Sequence, residues 1–284
     1  MNTYARLWTA IILPGALGAL PGCHEPRRME PLPPLPLATA ARLVNQNLER
    51  ITGTLRAVGS VDGHVTLADG RRRSFHVSAT LFYLAPDDGA EGGPYVRFDL
   101  KKLGDTQFLI GSNETRYWYY SKEDESFHCG WHNEDDALSA EIPINPRELV
   151  DALGLTRIST GLMHPGAVGR LQRIDRDHQQ LLFVVQDDEG PGIRLEKEYW
   201  LDRYPPRLIG RVVFPDDLGG IELESSLSDY KPLGPHGPWL PHEMIADWPE
   251  SGVHLRFRID QWNLIEQVKR ESIQFATPRE CAGR

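Results

Sequence analysis

Residues 95–120 carry the clearest alternation of apolar and polar positions in the chain. Val96, Phe98 and Leu100 alternate with charged residues, which is the period-two pattern of a strand with one buried face. Short turns containing glycine then separate two further runs, residues 106–110 and 115–120. The last run has aromatic side chains on both faces. The pattern therefore predicts a sheet with material packed on each side, either as ordinary core or around a concave face that binds an apolar ligand.

The same alternation recurs on both sides of this stretch. Residues 52–61 and 73–84 are predicted strands, and Asp69-Gly70 predicts a hairpin turn before the second of them. Further predicted strands follow at residues 126–131, 171–174, 180–186, 194–201, 207–214, 220–230 and 253–259. The pattern indicates a mainly β (α+β) chain of about ten to twelve antiparallel strands, because long β-α-β alternation is absent from the sequence.

Two helices are predicted beside the strands. The first helix is predicted over residues 39–50, where Leu43, Val44, Leu48 and Ile51 form one apolar stripe at helical spacing. The second helix opens at Asn145-Pro146 with a favourable N-cap and a proline in the first turn, and Gly154 is its expected end. Its apolar face consists of Leu149, Val150 and Leu153. Such a short helix is unstable alone, so we expect it to pack on the sheet, where it could plug a cavity.

The N-terminus has the pattern of an export signal. Residues 1–22 combine Arg6 with an apolar run from Leu7 to Leu20, which is shorter than the roughly 20 residues that span a bilayer. The following Leu20-Pro21-Gly22-Cys23 resembles the lipobox of bacterial lipoproteins and implies that Cys23 is acylated. The alternative is a secreted protein in which Cys23 has no such role.

A proline-rich segment follows this predicted anchor. Residues 26–36 are expected to form an extended, unpacked tether of polyproline II type. The predicted organisation is a signal peptide over residues 1–22, the acylated cysteine and tether over 23–37, and a single domain over 38–284.

Charge and candidate chemistry exclude several function classes. The net charge is −9 and the sequence contains no long basic patch, which disfavours a nucleic-acid partner. No Gly-x-Ser-x-Gly motif and no glycine-rich phosphate loop in a strand-loop-helix setting is present, so we predict no enzyme and no cofactor.

One short stretch contains three potential metal ligands, His128, Cys129 and His132. In a strand, the two histidines share one face and the cysteine points to the other, so the sequence predicts no metal site. Cys129 and Cys281 could instead pair in an oxidising compartment, or remain unpaired.

Several short pieces, each made of turn residues and alternating apolar positions, follow one another in a defined order: the opening helix leading to residues 53–59, Leu84-Ala85-Pro86, Arg97-Phe98-Asp99, residues 110–113, Tyr117-Trp118, Trp200-Leu201-Asp202 with Pro206, Pro215-Asp216, Gly219-Gly220, Leu240-Pro241, Trp248, the strand up to Ile259, Asn263, Phe275 and Pro278. This order resembles the LolA/LolB-like family of bacterial lipoprotein carriers and acceptors. The resemblance implies an unclosed, strongly curved antiparallel β half-barrel whose concave face is covered by a few short helices and binds acyl chains without chemistry. The chain departs from the carriers in its length, in its predicted acylation and in the absence of a recognisable lid arginine.

A half-barrel interior is lined by one alternating set of side chains from each strand. We predict that the ligand-lining residues are Leu55, Phe75, Val77, Leu81, Phe98, Phe108, Ile110, Trp118, Leu149, Val150, Leu153, Phe183, Val185, Leu195 and Phe257. The alternative is that these residues form a packed core with no cavity for a ligand.

The resemblance implies a membrane-anchored envelope lipoprotein that binds acyl chains of lipids or lipoproteins. The alternative is an envelope assembly or sensor protein that uses the same fold to bind a protein partner. His24 stands where an aspartate retains lipoproteins at the inner membrane in the well-known sorting rule, so the expected location is the outer membrane, facing the periplasm.

Overall fold

The computed structural model describes residues 30–66, 70–85, 94–123, 125–132, 146–158, 167–186, 192–216 and 218–281. Five predictions lie outside these residues: the signal peptide, acylation at Cys23, the first part of the tether, Asp69 of the hairpin turn and Asn145 as N-cap. Residues 31–284 form one compact unit.

The described chain contains two α-helices and fifteen strands. The helices are α1 (Leu37–Leu48) and α2 (Pro146–Ala152). The strands are β1 (Thr54–Thr66), β2 (Arg72–Leu84), β3 (Tyr95–Lys102), β4 (Asp105–Ser112), β5 (Arg116–Ser121), β6 (Ser126–Trp131), β7 (Ala167–Ile174), β8 (His178–Gln186), β9 (Ile193–Asp202), β10 (Ile209–Pro215), β11 (Ile221–Ser228), β12 (Lys231–Pro232), β13 (Trp239–Leu240), β14 (Glu243–Trp248) and β15 (Val253–Ile265).

Thirteen of these strands form one antiparallel sheet. Its order is β6-β5-β4-β3-β2-β1-β15-β14-β11-β10-β9-β8-β7, so β6 and β7 are free edges and the sheet does not close. The pair β12 and β13 forms a separate small ribbon. The predicted fold class, an unclosed antiparallel half-barrel with a few helices, is confirmed.

The sheet is strongly curved about its long central strands. Phe98 on β3 and Phe257 on β15 are separated by two strands, yet their ring centroids lie 5.3 Å apart on the concave face. A register shift between Val58 and Gly59 interrupts the pairing of β1 with β15. A Cβ at Gly59 would lie 2.0 Å from the carbonyl oxygen of Arg258, so glycine at this bulge allows the two strands to approach and bend.

Both helices pack on the concave face of the sheet. Ala40, Val44 and Leu48 of α1 join the same buried cluster as the apolar side chains of α2. Two asparagines fix α1 to its surroundings, because Asn45 exchanges two hydrogen bonds with the backbone of Ile158 and Asn47 exchanges two with the backbone of Trp239. Helix α1 is therefore attached to the segment that follows α2 and to strand β13, in addition to its packing on the sheet.

The C-terminal segment covers the opposite, outer face of β3–β6. Phe275 is buried and its ring makes an edge contact with Tyr95, while the side-chain amide of Asn113 donates to Thr277. A disulfide joins Cys129 of β6 to Cys281 near the end of the chain. The pairing that the sequence left open is thus present, and we call residues 273–281 the C-terminal strap.

The described part of the tether is extended but packed, which corrects the expectation of an unpacked segment. The backbone N–H of Leu32 donates to the carbonyl oxygen of Arg203, and the backbone N–H of Leu35 donates to Oε1 of Gln179. Gln179 and Gln172 both donate side-chain amides to the carbonyl oxygen of Leu35. An extended proline-rich strand leaves its carbonyl oxygens free, so nearby amide side chains can hold it against the sheet.

Candidate functional site: the concave face beneath helix α2

Helix α2 crosses the concave face with nearly its whole length buried. Leu149, Val150 and Leu153 are each no more than 3% exposed, as the sequence predicted for its apolar face. The helix ends where expected, since Gly154 adopts a left-handed conformation with φ +67°. The backbone N–H of Leu155 then donates to the carbonyl oxygen of Val150, which satisfies a carbonyl at the helix end.

Thirteen of the fifteen predicted lining residues lie on this concave face or in α2. Strand pairing and burial place there Leu55, Phe75, Val77, Leu81, Phe98, Phe108, Ile110, Leu149, Val150, Leu153, Phe183, Val185 and Phe257. They come from both halves of the sheet and from the helix between them. The structure contains no ligand, so their proposed role in binding stays a prediction.

Trp118 and Leu195 lie on the outer face, which corrects their predicted position. Trp118 pairs with Gly111, which is adjacent to Ile110 in β4 and therefore faces the opposite side of the sheet. Its side chain packs in a separate cluster with Leu109 and Cys281. Leu195 pairs with Val184 beyond a register shift in β9, and this shift moves its side chain to the outer face. Neither residue can line the concave face in this arrangement.

The space between α2 and the sheet is small. Leu149 of α2 and Leu153, the residue directly after the helix, face Leu81, Phe98 and Phe257 across a cavity of about 20 Å³. This volume is enough for about one water molecule and far below that of an acyl chain. In the described conformation α2 occupies the place that a ligand would need.

A buried ion pair joins α2 to the sheet on its other side. Nζ of Lys197 on β9 donates to Oδ2 of Asp151, and the two side chains are 20% and 8% exposed. Lys197 lies on the concave face because it pairs with Phe183. Its Nζ lies 5.1 Å from the ring centroid of Phe214 and 5.8 Å from that of Tyr199. Sequence reasoning missed this lysine, since a charged residue in an alternating strand is usually assigned to the solvent face.

The electrostatics of this pair follow from burial in apolar surroundings. Burial by itself lowers the pKa of Lys197, but Tyr199 and the Asp151 carboxylate outweigh it, so the pKa is raised and the lysine is charged. Burial, with the Asp151 charge, also raises the pKa of the phenols of Tyr83 and Tyr199. Both tyrosines are therefore neutral, and Tyr83 donates its hydroxyl to the carbonyl oxygen of Leu155.

The histidines and the cysteine of residues 128–132 make contacts within the fold. Cys129 is in the disulfide, and the ring of His128 stacks on Tyr119 with centroids 4.7 Å apart. Nε2 of His132 lies 3.0 Å from the carbonyl oxygen of Asn113. Burial lowers the pKa of His132 to about 4, with a further contribution from the charge of Arg147. Among the described residues, no group of three or more His, Cys, Asp or Glu side chains is placed to hold a metal ion.

The outer face of β9–β11 carries an open groove of about 410 Å³. Leu195 and Val213 form its floor, and Arg194, Glu198 and Arg211 line it with charged groups. At its rim, the side chains of Ile193 and Leu218 are 66% and 97% exposed. This groove faces away from the helices.

Within the residues that the structure describes, no helix has both the length and the apolar character that crossing a bilayer requires.

Comparisons with known proteins relate the chain to others by fold. No protein-family model and no curated protein matches it. A DUF1329 family protein from Desulfovibrio piger shares 10% identity at a TM-score of 0.51, over 85% of this chain and 96% of that chain. A putative outer membrane lipoprotein-sorting protein domain from Vibrio parahaemolyticus shares 13% identity at a TM-score of 0.47, over 81% and 93% of the two chains.

A LolA superfamily protein from Nitrosomonas europaea shares 11% identity at a TM-score of 0.45, over 80% of this chain and 94% of that chain. At identities this low, similarity concerns the fold alone. The chain thus shares its overall fold with the DUF1329 family protein, and this fold is the architecture that the sequence predicted: one open, curved antiparallel sheet with helices on its concave face.

Proposed function

We propose that this protein binds acyl chains of lipids or lipoproteins on its concave face, in the place that α2 occupies, and that it does so without catalysis. The observation that carries the proposal is the position of α2. This short helix packs on the apolar side chains that both sheet halves contribute to the concave face, and Leu149 and Leu153 fill the space above Leu81, Phe98 and Phe257. Displacement of α2 creates a continuous apolar trough, which is the lining that an acyl chain requires.

Binding requires this displacement because the described interior is packed. Helix α2 has seven residues, so it depends on tertiary contacts for its stability. Those contacts include the Lys197 ion pair and a hydrogen bond from Oγ of Ser225 to the carbonyl oxygen of Ala152. A ligand that displaces α2 must replace these contacts but leaves the hydrogen bonds of the sheet intact, whereas displacing a strand would disrupt the sheet.

We further propose that the protein acts at the bacterial cell envelope, held by an acylated Cys23, in the outer membrane. The lipobox-like sequence and His24 support this location. The packed tether adds a geometric reason, because only residues 24–29 separate Cys23 from the described part of the tether. A domain attached in this way stays near the membrane, which is the source of an acyl ligand.

Native mass spectrometry of the purified protein, followed by solvent extraction of any ligand, tests this function. We expect a co-purifying acyl lipid, and we expect the variant Phe98→Asp to lose it because the charge lies in the trough. Leu171→Asp, on the exposed outer face, is the matched control and should retain the lipid. Circular dichroism spectra of both variants are compared with that of the wild type to check that the variants fold. A protein that remains free of lipid, even after incubation with lipid vesicles, contradicts the proposal.

A second candidate function rests on the outer groove of β9–β11. Its exposed Ile193 and Leu218, set beside charged side chains, form the kind of surface that binds a protein partner. If cross-linking in cells through position 218 captures one envelope protein while the concave face remains free of lipid, the protein acts as a binding scaffold instead.

A further inference from the structure

Helix α2 resembles a ligand in the chemistry that it presents to the concave face. It contributes a row of apolar side chains, Leu149 and Leu153, to the space above β1–β3 and β15. On its other side it contributes one carboxylate, Asp151, to Lys197 of β9. A molecule that replaces α2 on both surfaces must therefore combine an apolar chain with a negatively charged group.

Lys197 imposes this requirement because of where its ammonium group lies. Its side chain is 20% exposed, and the rings of Tyr199 and Phe214 flank the nitrogen. When α2 leaves, Asp151 leaves with it, and a cation in apolar surroundings loses a charged hydrogen-bond partner. Leaving such a group without its partner is unfavourable, so an anion that takes the vacated position stabilises the open state, while a neutral head group does not.

Besides Tyr199, Glu196 and Arg147 are the other groups that the described residues show acting on this pair. Glu196 acts on Lys197 electrostatically, but it adjoins the register shift of β9 and its charge is present in both the closed and the open state. Arg147 interacts with Asp151 and belongs to α2 itself, so it moves with the helix. The change on opening is therefore the loss of the Asp151 carboxylate from Lys197.

We propose that the ligand of the concave face is an anionic amphiphile, with at least one acyl chain and a carboxylate or phosphate head group that takes the place of Asp151 on Lys197. This inference rests on the proposed function, since it concerns the same face and the same displacement of α2. It adds the class of ligand and the residue that recognises it. Lys197 is a binding residue in this account, and the apolar trough holds the chain without distinguishing head groups.

Photo-cross-linking of the purified full chain tests the inference. The probe is palmitic acid with a photoreactive group in its chain, and the competitors are unlabelled palmitic acid, hexadecyl phosphate and hexadecanol. We expect the acid and the phosphate to compete about 10-fold or more better than the alcohol, because a charge-assisted hydrogen bond is formed only with the anions. Mass spectrometry should locate the cross-links on strands of the concave face, such as β2 and β3.

Variants of the ion pair separate the head group from the chain. Lys197→Met should abolish the preference for anions while binding of the alcohol persists. Lys231→Met, which removes an exposed lysine paired with Asp229, is the matched control and should behave as the wild type. Asp151→Asn removes the carboxylate that competes with the ligand for Lys197. This variant should therefore bind the acid more tightly, with a smaller gain for the alcohol. If Lys197→Met is unstable, the double variant with Asp151→Asn removes both charges and provides the same comparison.

The possible results have distinct meanings. Equal competition by acid, phosphate and alcohol in the wild type overturns this inference and leaves the proposed function intact. An anion preference that survives in Lys197→Met also overturns it. If no strand of the concave face is cross-linked, the result contradicts both the proposed function and this inference. A difference between acid and phosphate identifies which anionic head group the site prefers.

Discussion

Trp118 shows how a single aromatic residue organises the outer face of β3–β6. Its indole lies across Gly111 on the neighbouring strand and packs against Leu109 and Cys281. A Cβ at Gly111 would lie 2.1 Å from Nε1 of Trp118, well inside van der Waals contact. Glycine is therefore required at this position by the ring above it, and not by backbone conformation.

This packing predicts that Gly111→Ala destabilises the protein. The indole must move away from the sheet, and such overpacking costs about 1–3 kcal/mol of unfolding free energy. Gly169→Ala is the matched control, since it also lies in a strand but has no atom within 4 Å of an added Cβ. Urea denaturation should show a lower midpoint for the first variant and no loss for the second. Equal midpoints for the two would show that Trp118 does not constrain the position.

Lys197 shows why part of the candidate site was beyond sequence reasoning. Simple alternation assigns residues to faces correctly while the register is unbroken, as it does for Phe98 and Ile110. Lys197 follows the regular alternation that also places Tyr199 on the concave face, and it was missed because a charged residue is usually assigned to the solvent face. The register shift in β9 comes after Lys197 and moves Leu195 to the outer face, which alternation in the sequence does not reveal. Alternation therefore placed most of the predicted residues on the correct face of the sheet, but it did not predict the buried Lys197.

The C-terminal strap covers the outer face of β3–β6, on the side of the sheet opposite to the helices. It crosses the outer face of β3–β6 without regular strand pairing, and its contacts are specific ones: the buried Phe275, the Asn113 hydrogen bond and the disulfide. Residues 129 and 281 are 152 positions apart, so the bond closes a long loop of chain. Cross-links that close long loops restrict the unfolded chain strongly.

Removal of the disulfide should therefore lower stability and loosen the strap. For the double variant Cys129→Ala/Cys281→Ala we expect a loss of about 2–4 kcal/mol in unfolding free energy. Limited proteolysis should cleave this variant near residue 275 sooner than the wild type. A reductant provides the control, because it should lower the wild type to the level of the variant and leave the variant unchanged. A wild type that is indifferent to the reductant would contradict this account.

Elements with strong local signals were predicted well, and those defined by their surroundings were not. Helix α2 begins at the predicted proline and ends before Gly154, since capping is a local property. Strand β14 was not predicted, because its six residues closely follow prolines 238 and 241, which are typical of a break between strands. Its alternating Met244, Ala246 and Trp248 are buried by pairing with β11 and β15, and these contacts are distant in sequence.

At the scale of the whole molecule, the sheet joins two halves that are far apart in sequence. The N-terminal strands β1–β6 meet the C-terminal strands through the pairing of β1 with β15, and β14 continues it to β11. Both halves contribute to one buried cluster beneath the helices. The displacement of α2 that we propose would alter the interior while the hydrogen-bonded sheet around it remains complete.

A single shared core predicts that the two halves unfold together. Phe257 lies on β15 at the junction, is 4% exposed and contacts Phe98 of the other half. Phe257→Ala should cost about 3–5 kcal/mol of unfolding free energy, because it leaves a cavity where the halves meet. Tryptophan fluorescence and far-UV circular dichroism should report the same lowered midpoint in urea, as expected for a two-state transition. Leu171→Ala on the outer face is 61% exposed and should shift neither signal. Two separate transitions, of which only one responds to Phe257→Ala, would instead mean that the halves are independent and that the concave face is an interface between them.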